Sequence, residues 1–271
     1  MTLSTKLGNS PTDLWLEGSG GRLFIRSWFP DADALRPNRA PILLLHESLG
    51  CIEQWRDFPA ALSQATGRTV VAYDRLGYGR SDRLTAPPVA SFVEDEASTG
   101  FAAVREHLGI EHFVVVGHSV GGSMAVHCAA RFAEACQALI TLSAVTFVES
   151  QTLDGIRQAR NWFADPTQRE RLRRYHGERS DWVLSAWIDT WLAPNFSNWS
   201  LEAALPAVSC PTLAIHGEGD EFGSARHPQL VARHAGGPVE QVLLAGVGHV
   251  PHREQPEQVL ARIAQFLRPV S

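Results

Sequence analysis

The chain has 271 residues, 44% of them hydrophobic and 20% charged, with a net charge of −5. This is the composition of a soluble globular protein large enough to bury a core without staples. It argues against a nucleic-acid binder, which would be basic, and no run approaches the ~18 apolar residues of a membrane span. Cys51, Cys128, Cys136 and Cys210 contain no C-x-x-C pair, so inert thiols in a reducing cytoplasm are expected rather than a disulfide scaffold. Residues 1–15 lack a charged region followed by an apolar one, and no signal peptide is expected.

In chain order, Leu14–Glu17 and Leu23–Trp28 flank a Gly-Ser-Gly-Gly stretch, which reads as a hairpin. Buried strands are predicted at Ile42–Leu45, Thr69–Tyr73, Phe113–Val116, Leu139–Leu142, Thr212–Ile215 and Gln241–Leu244. Several are unbroken apolar runs, as in a sheet covered on both faces. Helical patterns at Ser91–Leu108, Met124–Phe132 and Val259–Leu267 alternate with them. The class is therefore α/β, with a mostly parallel eight-stranded sheet flanked by helices. Residues 146–205 break the rhythm: they lack a strong strand and are rich in Arg and Trp. They read as a helical cap inserted into a core domain made of 1–145 and 206–271. Ligand sites in open parallel sheets lie at the strands' C-terminal edge, beneath such an insertion.

The strand Phe113–Val116 runs into Gly117-His118-Ser119-Val120-Gly121-Gly122, where a helix begins. G-x-S-x-G between a strand and a helix lifts a serine hydroxyl above a sheet. The glycines permit a sharp turn and close packing. The helix N-terminus offers N–H groups to developing negative charge. A serine hydroxyl needs a base, and the base needs an orienting acid. Candidates follow two later strands: Gly217-Glu218-Gly219-Asp220-Glu221 and Gly246-Val247-Gly248-His249.

Taken together, these motifs resemble the α/β-hydrolase superfamily over nearly the whole chain. The resemblance implies a Ser119, Asp220, His249 triad, with Glu218 and Glu221 as rival acids and His252 as a rival base. It places the oxyanion donors on the backbone N–H groups of Val120 and Ser48, with Glu47 as a lesser candidate. Most relatives carry His-Gly where this chain reads His46-Glu47. The stretch from His46 to Pro59 is similar to a bacterial branch with His-Glu-x-Leu-Gly. A carboxylate facing the oxyanion would oppose catalysis, so Glu47 is expected to point away, toward solvent or an arginine. Asp74 to Asp82 forms another family hallmark, read as a structural turn. His118 is read as a packing residue beside the nucleophile.

Five of the eight tryptophans fall in the cap: Trp162, Trp182, Trp187, Trp191 and Trp199. Val183, Trp187 and Trp191 share a helix face. Most are expected to pack the cap onto the core, with Trp187 and Trp191 as candidates for a substrate pocket. The arginines from Arg169 to Arg179 read as a solvated face that is still able to receive a substrate carboxylate. No metal is expected at His249 and His252, because the intervening Pro251 spoils helical ligand spacing, and no cofactor is implied.

The expected activity is hydrolysis of a carboxylic ester or lactone of a small, partly apolar molecule by a monomer or homodimer. Carbon–carbon hydrolysis of a ring-fission product and cofactor-free perhydrolysis use the same triad. A small-ligand receptor with little turnover is the alternative from another class. Relatives cleaving ring-fission products often carry a tryptophan soon after the base, where this chain has Val250 and Pro251.

Overall fold

The computed structural model describes residues 10–18, 20–36, 39–84 and 86–270. The first nine residues, part of the stretch read for a signal peptide, lie outside the described residues. Eight strands form the sheet: β1 (Thr12–Gly18), β2 (Gly21–Trp28), β3 (Ile42–Leu45), β4 (Val70–Tyr73), β5 (Phe113–His118), β6 (Cys136–Leu142), β7 (Thr212–Gly217) and β8 (Val239–Leu244). Their order is β1-β2-β4-β3-β5-β6-β7-β8. β2 pairs antiparallel with both neighbours, and every pairing from β4 to β8 is parallel.

Ten α-helices accompany the sheet among the described residues. They are α1 (Phe58–Thr66), α2 (Phe92–Asp95), α3 (Gly100–Leu108), α4 (Val120–Arg131), α5 (Ser150–Trp162), α6 (Pro166–His176), α7 (Ser180–Trp191), α8 (Arg226–His234), α9 (Pro251–Glu254) and α10 (Pro256–Phe266). Alternation along the central strands divides the core in two. Leu43, Leu45, Val71 and Val115 pack with Phe101, Val104 and Met124 of α3 and α4. Ile42, Leu44, Val70 and Val114 pack with Leu62, Val259 and Ile263 of α1 and α10. Both faces of the central parallel strands are thus covered, which is why β3, β4, β5 and β7 are buried throughout and read as largely apolar runs.

Three elements differ from the sequence expectation. The helix predicted over Ser91–Leu108 is broken into α2 and α3. Ser98 and Thr99 hydroxyls donate to the Asp95 carbonyl at 3.1 and 2.8 Å, competing with the helical ladder. α4 begins at Val120 rather than Met124, directly behind Ser119. β8 is not a buried strand: Glu240, Gln241 and Leu243 are exposed, because β8 is the sheet's edge.

Residues 146–205 leave the sheet after β6 and return before β7, carrying α5, α6 and α7. Their two ends meet at an isolated bridge between Phe147 and Ser200. The segment is pinned to the turn after β4. His176 Nδ1 accepts the Gly79 N–H at 3.0 Å, Arg179 donates to the Gly79 and Ser81 carbonyls, and Trp182 packs edge-on against Tyr78 at 5.7 Å. No helix among the described residues is long and apolar enough to cross a membrane.

One close approach sets the spacing at the sheet's C-terminal edge. A Cβ on Gly121, in the first turn of α4, would lie 2.1 Å from the Leu45 carbonyl oxygen and 2.6 Å from that of His46. The obstacle is backbone, so a side chain has nowhere to go. Gly121→Ala is expected to cost about 3 kcal/mol or more, the upper end for overpacking. Denaturant unfolding would measure it, and wild-type stability would contradict this account of the helix packing.

Candidate active site

Ser119 stands between β5 and α4 with φ 54° and ψ −124°. A non-glycine residue in this region is strained and persists only where its surroundings hold it. The Ser119 N–H donates to the Leu142 carbonyl at 2.9 Å, and its own carbonyl accepts the Gly122 N–H at 2.9 Å. The hydroxyl-bearing side chain faces a cavity at the sheet's C-terminal edge. Behind it, the Val120 N–H donates to no other described group, as expected for the first residue of a helix.

Asp220 and His249 arrive from the loops after β7 and β8. A Cβ on Gly217 would lie 2.2 Å from the Gly248 carbonyl oxygen, so only glycine lets the two loops lie this close. His249 Nδ1 donates to the Asp220 carboxylate, with both oxygens at 2.8 Å. The same carboxylate accepts the Phe222 N–H at 2.8 Å. His216 Nε2, which donates to the Gly223 carbonyl at 2.9 Å, lies 3.4 Å from Asp220 Oδ2. Burial pushes the Asp220 carboxyl up, but its hydrogen bond to His249 and the nearby imidazoles leave it below the usual carboxylate range. Burial pushes His249 down, but the Asp220 bond and charge, with Glu221 and Glu47, leave it above its ordinary value. Ser119 and His249 line one cavity, and no Ser119–His249 hydrogen bond within 3.5 Å is formed. In free enzymes such bonds are often long and tighten with substrate.

The rival residues make no side-chain hydrogen bond to Ser119 or His249. Glu218 is exposed, and Glu221 lines the cavity without bonding His249. His252 is packed against Trp55 and His118, with ring centroids 4.7 and 4.8 Å away. Burial pulls its imidazole down to about 3. Asp74 is structural: its oxygens accept the Ile52 and Arg80 N–H groups at 2.6 and 2.7 Å. Asp82 pairs with Arg22 at 3.1 Å. His118 does more than pack. Its Nε2 donates to the His249 carbonyl at 2.8 Å, fixing the backbone that carries the imidazole.

The loop after β3 carries the departure from the family pattern. Glu47 does not turn out to solvent or pair with an arginine; it lines the cavity beside Ser48. Its Oε2 folds back to accept the Leu49 N–H at 2.5 Å. The carboxylate thereby completes a turn of its own loop, a local constraint that the residue type alone does not disclose. Burial pushes the Glu47 carboxyl up, against the Leu49 bond and the charges of Arg253, His249 and Arg75. The Leu49 carbonyl accepts from Gln54 Nε2 and His176 Nε2, each at 2.8 Å. With the Leu49 N–H occupied, the free N–H groups of this loop facing the cavity belong to Glu47 and Ser48.

The cavity has a volume of about 790 Å³. Ile156, Ala159, Phe163 and Leu172 from α5, α6 and the turn between them form an apolar wall with Trp187 and Trp191 of α7. Trp162 also lines it, so three of the five tryptophans reach the cavity. Trp182 and Trp199 do not, and Trp199 stacks on Phe196 at 5.5 Å. Of the arginines between 169 and 179, Arg171 lines the cavity. Arg253 and Gln54 face it from the core side, joined by a 3.0 Å bond from Arg253 Nε to the Gln54 carbonyl.

Comparison with known proteins agrees with this architecture. The (lyso)-N-acylphosphatidylethanolamine lipase of Bos taurus is 34% identical over 103 residues, 38% of this chain and 30% of that protein. The chain thus spans about a third of the length of the lipases it matches. The 2-hydroxymuconate semialdehyde hydrolase of Pseudomonas sp. (strain CF600) is 26% identical over 209 residues, 67% of this chain and 71% of that one. Among solved structures, a membrane phospholipase A described as a bacterial virulence factor superposes with a TM-score of 0.78 at 20% identity, covering 96% of this chain and 86% of the other. A family model for the alpha/beta hydrolase fold matches residues 40–205. With that match spanning β3 to β6 and the turn that carries Ser119, and with the sheet order on the page, the chain belongs to the alpha/beta hydrolase family.

Proposed function

We propose that this protein is a serine hydrolase that cleaves a carboxylic ester or lactone of a small, partly apolar substrate. The observation that carries the reading is the Asp220–His249 contact at 2.8 Å, set at a cavity that also exposes Ser119 and Ser48. His249 takes the Ser119 proton through Nε2 as Oγ attacks the carbonyl carbon. The Ser48 and Val120 N–H groups hold the resulting oxyanion. Asp220 keeps the proton on Nδ1 and stabilises the imidazolium. His249 then protonates the leaving alcohol, and the acyl-enzyme is released by a water that His249 activates. Residues 146–205 serve as the cap, and their apolar wall receives the hydrocarbon part of the substrate.

A second reading, carbon–carbon bond hydrolysis, is supported by the similarity to the semialdehyde hydrolase over 67% of the chain. Assay of 4-nitrophenyl esters of increasing chain length, of lactones and of a ring-fission dienone acid separates the two. Ester or lactone turnover is expected to dominate, and Ser119→Ala is expected to lower kcat at least about 10³-fold. Preferred turnover of the dienone acid would favour the second reading. Full ester turnover by Ser119→Ala would overturn both.

The raised pKa of His249 gives a signed pH prediction. A general base works in its neutral form, so a raised pKa moves the acid limb of kcat/KM to higher pH. The limb is expected above the ordinary histidine value of 6.5. Asp220→Asn removes the largest raising influences and leaves burial, so the limb moves down while kcat falls on the order of 10³- to 10⁴-fold. A pH–rate profile checks this; an acid limb that stays in place would show that His249 is not the titrating base.

A further inference from the structure

Arg75 lies in the turn after β4, which the sequence marks as structural. That turn is closed without its side chain. Asp74 holds the Ile52 and Arg80 N–H groups, and Ser81 Oγ donates to the Asp74 carbonyl at 2.5 Å. Arg75 is nonetheless buried, 5% exposed. Its guanidinium lies 4.3 Å from the centre of the Tyr78 ring and forms no ion pair among the described residues. A buried cation without a paired carboxylate is costly, and a turn already closed does not require one.

The guanidinium points instead at the loop after β3. Arg75 Nη2 donates to the Glu47 carbonyl at 3.0 Å. The Gly50 N–H donates to the same oxygen at 3.1 Å, and His46 Nδ1 at 2.8 Å. His46 Nε2 accepts the Arg75 N–H at 3.2 Å, which leaves Nδ1 as the protonated nitrogen. Three donors therefore hold one carbonyl. No cis peptide occurs among the described residues, and a trans peptide points its N–H opposite to its C=O. The N–H of the peptide whose carbonyl is so held belongs to Ser48, which lines the cavity. Hydrogen-bond accounting leaves Glu47 and Ser48 as equal donors; this anchoring singles out Ser48.

We infer that Arg75 is a positioning residue for the oxyanion site. Its guanidinium locks the Glu47–Ser48 peptide with the Ser48 N–H directed into the cavity, and its charge polarises that peptide as a donor. A chain of hydrogen bonds strengthens its members. The buried Glu47 and Glu96 carboxyl groups already feel this cation in the resting protein; the oxyanion adds a further negative charge only in the transition state, so the added stabilisation falls on kcat rather than on ground-state binding. The inference rests on the hydrolase reading above, in which the Ser48 N–H meets the oxyanion.

The test compares wild type with Arg75→Met and Arg75→Lys. It measures kcat, KM, thermal midpoint and affinity for an alkyl boronic acid, which forms a tetrahedral adduct on serine. Arg75→Met is expected to lower kcat and boronate affinity together, roughly 10- to 100-fold, below the ~10²–10³-fold seen when an oxyanion donor is deleted outright. KM is expected to change less than about 3-fold, and Arg75→Lys to recover part of both losses. If Arg75→Met does not fold, Arg75→Lys is read alone, with the same parallel loss in smaller measure. Unchanged kcat, or a loss confined to thermal midpoint, would overturn the inference. Should wild type turn over no ester, the rate of fluorophosphonate labelling of Ser119 replaces kcat, since that reaction builds charge on the same oxygen. A rate unaltered in Arg75→Met would then overturn the inference separately from the ester reading.

Discussion

At the end of β3, the carbonyls of Leu45 and His46 occupy the space a side chain on Gly121 would need. The rest of the site depends on this contact between two backbones. It draws the first turn of α4 against the loop 46–50, so Ser119 and Ser48 come to face one cavity. It also fixes where the unpaired N–H groups at the start of α4 emerge relative to that loop. The loops that carry Asp220 and His249 use the same device, with Gly217 against the Gly248 carbonyl. Close backbone packing, more than side-chain contact, sets the distances between the candidate residues.

On this frame the electrostatics are arranged in opposition. Asp220 is buried and would be hard to ionise alone, yet His249, the Phe222 N–H and His216 hold its charge. His249 is buried and would be hard to protonate alone, yet Asp220 and more distant carboxylates favour the imidazolium. Each partner offsets the desolvation of the other. Glu47 belongs to this balance. Its carboxylate adds negative charge near the base, while one of its oxygens is tied to the Leu49 N–H. The usual glycine is replaced by a residue that stabilises the loop through its own side chain. Arg75 supplies positive charge on the opposite side of the same peptide.

Much of this was legible in the sequence for identifiable reasons. The strands of the sheet centre are apolar on both faces, so each appears as an uninterrupted run that neither loops nor surface helices imitate. Ser119 and Asp220 follow closely after such strands, His249 lies in the loop after the edge strand β8, and glycines at 117, 121, 217 and 248 mark the sharp or crowded turns. What was not legible depends on contacts distant in sequence. His118 bonds the His249 carbonyl 131 positions away, and His176 reaches Leu49 across 127. Neither histidine sits in a spacing that announces its partner. The break between α2 and α3 had a local signal in Ser98 and Thr99, but the apolar spacing across it masked that signal. The exposure of β8 follows from its edge position, and Glu240 and Gln241 carry the local sign of it that the apolar run 242–244 masked.

The central claim is that Ser119 carries the acyl group between two half-reactions. Rapid quenching of the enzyme with a slowly released 4-nitrophenyl ester, followed by peptide mass mapping, tests it most directly. The account predicts a burst of nitrophenol and an acyl adduct confined to the peptide bearing Ser119. An adduct on another residue, or steady turnover with no covalent intermediate in Asp220→Asn as in wild type, would contradict it.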